Sequence, residues 1–248
     1  MGRMTETVKV LLITNVLFYI GTLTIGDTAY RLFSLWFFEN ENFRAWQFVT
    51  HMFMHGGFTH ILFNMYALWA FGSPIEQVLG QKKFLFFYFS AGIGAALIHT
   101  LVNYYHFESG FQALLGAGLD PDSIWRILET GQYNTGILSD TITNELLADF
   151  YGSVNTPAVG ASGAIYGILV AFGMTFPNVQ LFLLFVPIPI KAKYFIPALI
   201  GIDIISGFSG YSLFGGGIAH FAHVGGALFG FIMMWYWRKN SFNNNRWY

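Results

Sequence analysis

Long apolar runs alternate along this chain with short stretches that carry its charges, prolines and turn glycines. Residues 8–26, 57–77, 83–106, 159–177, 193–209 and 217–237 hold few ionisable groups. Each approaches the ~20 residues a helix needs to cross the hydrocarbon core of a bilayer, although the fifth is short. The pattern predicts an all-α membrane protein with six transmembrane helices. Between the fourth and fifth, Leu181-Phe182-Leu183-Leu184-Phe185-Val186 is apolar, but Pro187 and Pro189 interrupt it and Lys191 and Lys193 follow. That stretch reads as a buried or interfacial connection. The run from Val8 lacks a small-residue cleavage site and five more runs follow, so it reads as a retained first helix rather than a signal peptide. No fixed-period repeat is visible.

Lys and Arg set the orientation. Arg3, Lys9, Lys82, Lys83, Lys191, Lys193, Arg238, Lys239 and Arg246 fall on one side of the six predicted spans, and only Arg31, Arg44 and Arg126 on the other. The positive-inside rule then makes both termini cytoplasmic. The segment 107–158 lies outside, with Glu108, Asp120, Asp122, Glu129, Asp140, Glu145 and Asp149 against Arg126 alone. Residues 122–128 and 143–148 look like short amphipathic helices, so 107–158 reads as a structured external insertion between helices three and four of a single domain over 1–248. The compact core without a long targeting extension points to a bacterial inner (cell) membrane.

Composition sharpens this. Only 10% of the 248 residues are charged and 54% are hydrophobic, with a mean hydropathy of +0.51; a soluble domain carries about 25% charged residues. A net charge of -1 offers no basic surface for nucleic acid. The chain has no cysteine, which excludes disulfides, a thiolate nucleophile and a Cys-based zinc site.

Against that apolar background, polar groups at membrane depth stand out as candidates for function. Ser162, in Gly160-Ala161-Ser162-Gly163, opens the fourth helix near its outer end. Alone, such a serine serves equally as an N-cap or a packing residue. His223 sits at a comparable depth in the sixth helix and supplies the base that a serine nucleophile needs. Gly226 and Gly230 share its helical face, while Gly163 and Gly167 give the serine helix a small-xxx-small face. Small residues let two backbones approach, as a short Ser–His hydrogen bond requires. His60 and Asn64, four residues apart on one face of the second helix, are donors suited to an oxyanion, alongside the Ser162 N–H. The same pair also reads as a polar turn holding helices together.

Taken together, these elements resemble the rhomboid family of intramembrane serine proteases. The resemblance rests on Trp46-Gln47-Phe48-Val49-Thr50-His51-Met52-Phe53-Met54-His55 leading into Phe58-Thr59-His60-Ile61-Leu62-Phe63-Asn64. It rests also on Gly160-Ala161-Ser162-Gly163-Ala164-Ile165-Tyr166-Gly167 and on Ala222-His223-Val224-Gly225-Gly226-Ala227-Leu228-Phe229-Gly230. It covers about residues 8–238 and implies a six-transmembrane-helix rhomboid-like bundle that cleaves transmembrane segments of other membrane proteins. It further implies a Ser162–His223 dyad with no acidic third member, and Tyr166 stacked on the His223 ring. His60, Asn64 and the backbone N–H groups of Ser162 and Ala161 would hold the oxyanion, and His55 would be structural. Asp203, in the fifth helix, is assigned to packing or capping.

The chain departs from the family pattern where the loop motif usually reads Trp-Arg, since Gln47 follows Trp46. That leaves the loop's stabilising contact to be found. His51, His55, His99, His106 and His220 make a metal site conceivable, but no His-Glu-x-x-His is present, so neither metal nor cofactor is expected. Two rival readings are a catalytically silent relative that binds membrane-protein clients and a transporter with a polar pathway; the latter predicts matching broken halves.

Overall fold

The computed structural model describes residues 3–183, 186–209 and 219–244. It is mostly helical, and a helix lies on each apolar run: Glu6–Ile25, 58–79, Gln81–Gly116, Ser162–Thr175, Ala192–Ser209 and His220–Asn244. Three of these, Glu6–Ile25, Gln81–Gly116 and Ala192–Ser209, are long and apolar enough to cross a membrane. The predicted start of the sixth run, at 217, lies outside the described residues.

The first helix shows why the apolar pattern suits lipid. Its buried residues are Val8, Leu11, Asn15 and Thr22, a single stripe at helical spacing, whereas Val10, Leu17 and Leu23 face outward. The inward polar groups are satisfied within the helix, Asn15 Nδ2 donating to the Leu11 carbonyl (2.7 Å) and Thr22 Oγ1 to that of Phe18 (2.9 Å). A soluble helix places its large apolar side chains inward; this one keeps many of them outward. Its N-terminus is capped across the fold by Glu76, which accepts from the Thr7 and Val8 N–H groups, both at 3.0 Å, and from Thr5 Oγ1 at 2.5 Å. A carboxylate there answers the free N–H groups and the positive end of the helix dipole.

Three expectations change. The third helix runs unbroken through 36 residues to Gly116 instead of ending near 106. At 1.5 Å per residue it is roughly 54 Å long, well beyond a ~30 Å hydrocarbon core. Its continuation has something to pack on: Phe107 and Leu114 join Ile124, Ile127, Leu128, Leu147, Phe150 and Val154 of the insertion in a second apolar cluster. Gly110 admits the Phe150 ring, which a Cβ would meet at 2.6 Å. The helices of segment 107–158, Pro121–Thr130 and Asn144–Asn155, are N-capped by the Asp120 and Thr143 side chains; the second is longer than the sequence suggested. Of the two readings of the connection before the fifth helix, buried or interfacial, the buried one does not hold. Gln180–Leu183 and Val186–Lys191 form an antiparallel hairpin with Gln180 opposite Lys191, and Phe182 is exposed. Alternating β-branched and proline positions suit an extended ribbon with open edges better than a helix. The second helix, finally, carries a π-helical segment at Leu68–Gly72.

The segment joining the first two helices is organised by Gln47, which is completely buried. Its Oε1 accepts from the N–H groups of Trp36 (3.3 Å) and Arg44 (3.1 Å), and its Nε2 donates to the carbonyls of Arg31 (3.0 Å) and Asn42 (2.8 Å). The amide therefore does the bridging for which the family pattern led one to look for arginine. Gln47→Ala takes the partner from these four part-buried backbone groups, and each lost hydrogen bond costs about 0.5–1.5 kcal/mol. We expect the variant to melt several degrees earlier, and limited proteolysis to cut first within residues 34–50.

Candidate active site

Two clamps place the serine. Leu35 and Ala158 exchange backbone hydrogen bonds, both 2.9 Å, and the Gly160 N–H donates to the His51 carbonyl at 2.9 Å. The loop held by Gln47 thus fixes the strand of chain that enters the serine helix. Gly160 has φ +121°, a backbone state that favours glycine. Ser162 is the first residue of the helix Ser162–Thr175. The first i→i−4 bond runs from Ile165 N–H to the Ala161 carbonyl (3.0 Å), so the N–H groups of Ser162, Gly163 and Ala164 come before the ladder begins. Such a helix start favours an anion.

Close packing brings in the histidine. The helix His220–Asn244 lies against both the serine helix and Gln81–Gly116. A Cβ at Gly226 would overlap the Gly163 carbonyl, one at Gly230 would lie 2.6 Å from the Gly167 Cα, and one at Gly163 would overlap the Ala95 methyl. At Gly226 and Gly230 no side chain stands between the two backbones. His223 Nε2 consequently lies 2.9 Å from Ser162 Oγ. The Tyr166 ring, one turn after Ser162, stacks on the imidazole with centroids 4.2 Å apart and planes at 13°. A hydroxyl donating to an oriented imidazole is the arrangement of an activated nucleophile.

His60 approaches from the second helix. An ideal Cβ on Gly160 would be 2.8 Å from His60 Nε2 and 3.6 Å from Ser162 Oγ. Gly160 therefore leaves open the space between the imidazole and the hydroxyl, which is room that a developing oxyanion needs. The sequence reading named Gly160 only as part of a motif; its positive φ and its contact with His60 emerge from the fold. Asn64 is buried one turn further along, and Ala161 is fully buried at the helix N-cap. His55 is also buried, its ring edge-on to that of His60 at 5.0 Å, with Nδ1 near the Phe53 carbonyl (3.3 Å). Burial, reinforced by His60, pushes His55 down to about 4, which leaves it neutral and suited to a structural place.

Asp203, expected from the sequence to serve packing or capping, with no acidic partner expected for the histidine, lies beside both histidines of the sixth helix. In the structure its Oδ1 lies 3.2 Å from His223 Nδ1 and 2.6 Å from His220 Nδ1, while Tyr166 Oη donates to Oδ2. Ligand atoms of Asp203, His220 and His223 lie within 4.8 Å of one another, close enough to chelate a cation. The Nδ1 atoms of both histidines already face the carboxylate and His223 Nε2 faces Ser162, so hydrogen bonding uses those atoms.

Comparison with known proteins gives the family. Residues 42–118 and 123–240 match the family described as Rhomboid domain. This chain belongs to the rhomboid family. It is 30% identical over 185 residues to human "Presenilin-associated rhomboid-like protein, mitochondrial", covering 74% of this chain and 35% of that one. It is 25% identical over 187 residues to yeast "Rhomboid protein 1, mitochondrial", covering 75% and 40%. Over 77 residues it is 36% identical to "Rhomboid protease GlpG" of Salmonella choleraesuis, covering 31% and 28%. This rhomboid thus spans 35% and 40% of the length of these two mitochondrial relatives. Those relatives overturn the expected bacterial inner membrane: matches spanning three quarters of the chain carry mitochondrial names, and the bacterial one spans less than a third. A multi-pass membrane protein is retained.

Proposed function

We propose that this rhomboid is a serine endopeptidase that cuts transmembrane segments of other membrane proteins within the bilayer. The observation that carries the reading is the 2.9 Å contact between Ser162 Oγ and His223 Nε2 beneath the stacked Tyr166 ring. His223 Nε2 takes the hydroxyl proton as Ser162 Oγ bonds to the scissile carbonyl carbon. The resulting oxyanion is held by His60, Asn64 and the backbone N–H groups at Ala161 and Ser162, where fixed donors in a low-dielectric site act most strongly. When the C–N bond breaks, His223 returns the proton to the leaving amine. A water then attacks the acyl ester, giving its proton to His223, and Ser162 leaves with that proton. Ser162 and His223 are both only partly buried, which leaves water a way in. A substrate helix must unwind locally to present its carbonyl, and backbone groups freed in lipid need new partners. Helix-destabilising residues near the cut therefore favour cleavage.

A fluorophosphonate probe on the purified protein tests the assignment. We expect one label per chain, mapping to the peptide that holds Ser162 and unaffected by EDTA. Labelling at another residue, or none in folded protein, would leave a client-binding rhomboid as the better reading.

A further inference from the structure

Among the groups outside the Ser162–His223 pair, Asp203 is the one whose surroundings demand a reason. Its side chain is only 6% exposed and sits in a helix apolar enough to span a membrane. A carboxylate at that depth is costly unless donors surround it. Asp203 has three: Tyr166 Oη at Oδ2, and His220 Nδ1 and His223 Nδ1 at Oδ1. Two of those partners are the imidazole that faces Ser162 and the ring that stacks on it.

The tautomer follows from the contacts. If the Ser162 hydroxyl donates to His223 Nε2, the neutral ring carries its proton on Nδ1, and Asp203 Oδ1 at 3.2 Å is there to accept it. When Nε2 takes up the serine proton, the ring becomes a cation next to a fixed carboxylate in a site with little water. The attraction grows as the charge forms, so it lowers the barrier rather than only the ground state. Tyr166 closes the triangle: held by Asp203 Oδ2, its ring cannot slide off the imidazole it covers.

We propose that Asp203 is the positioning residue for the base, completing a Ser162–His223–Asp203 relay inside the membrane. This rests on the serine-endopeptidase reading above. His220, 2.6 Å from the same oxygen, holds the carboxylate in place from the other side.

The test compares wild type, Asp203→Asn, Asp203→Glu and Ser162→Ala in proteoliposomes, with kcat and KM for a single-span reporter, fluorophosphonate labelling rates and melting temperatures. In soluble hydrolases with a Ser-His-Asp relay, an amide in place of the carboxylate costs roughly 10⁴ in kcat. We expect Asp203→Asn to lower kcat and the labelling rate by at least about 100-fold while KM stays within about twofold. Asp203→Glu should regain at least about tenfold, because it restores the negative charge that the forming imidazolium needs. An Asp203→Asn enzyme that melts with wild type and keeps kcat within about threefold overturns the relay, as does a Glu variant no faster than the Asn one. Should Asp203→Asn fail to fold, the Glu variant decides: labelling within about tenfold of wild type supports the relay, and its absence in folded protein overturns it. Cleavage by Ser162→Ala would instead sink the serine reading itself, so the two failures are distinct.

Discussion

Ser162→Ala removes reporter cleavage altogether, lowering turnover by at least about 10⁴-fold, while leaving the melting temperature and binding of the uncut segment close to wild type. The reason lies in how little else the serine does. Its Oγ faces His223 Nε2 at 2.9 Å, and the helix it opens starts from the buried backbone at Ala161, where no side chain caps the N-terminus. Deleting one oxygen at a partly exposed position leaves no large cavity. His223→Ala should be as inactive, since a hydroxyl without its base is a poor nucleophile. The double variant should be no worse than either single one, because residues that act as a unit are not additive. Reporter cleavage with gel or mass-spectrometric detection, run beside a thermal melt, reads both quantities. Residual cutting by Ser162→Ala above about one part in a thousand would remove the serine from the mechanism.

Gly226→Ala, a single added methyl, should cost the next largest share of activity. Its Cβ would overlap the Gly163 carbonyl and lie 2.7 Å from that carbonyl carbon, so the obstacle is backbone and no side chain can swing aside. The serine and histidine helices must separate, and overpacking of this kind costs about 1–3 kcal/mol. The larger effect falls on chemistry: a displacement of about 1 Å between reacting groups can lose about 100-fold in rate. We expect labelling of Ser162 to slow by about that factor and the melting temperature to drop by several degrees, with Gly226→Val worse on both counts. Gly21→Ala in the first helix is the matched control. Nothing lies within 4 Å of a Cβ there, so it should leave rate and melting temperature unchanged. Equal behaviour of the Gly21 and Gly226 variants would refute close backbone contact as the source of the Ser–His geometry.

Part of the candidate site was legible before any coordinates. Ser162, His223, Tyr166, His60 and Asn64 lie in local patterns whose spacing places each on a definable helical face, and the glycines that let the helices meet recur at the same helical spacing. Gly160 was visible only as a letter in a motif. Its use depends on His60, 100 residues away, whose imidazole occupies the space a side chain would need. Asp203 was visible as an ionisable group at membrane depth, with packing or capping as its expected place. Its tie to Tyr166, 37 residues earlier, and to His223, 20 residues later, crosses between helices and leaves no mark in the periodicity of any one of them.

The same division runs through the fold. The apolar runs by themselves determined that the chain is a helical membrane protein and roughly where each helix lies, because lipid demands long apolar stretches with internally satisfied backbones. The polar groups that stabilise its architecture were a matter for tertiary structure. Glu76 finds the start of the first helix from 68 residues away, and buried Gln47 gathers a loop through groups at Arg31, Trp36, Asn42 and Arg44. Whether a helix continues past the hydrocarbon core is likewise decided by what awaits it, as the insertion's apolar cluster does for Phe107 and Leu114. Periodicity reports the environment each helix face meets, averaged along its length. Which polar group meets which is a property of distances between helices, and those are settled only when the helices pack.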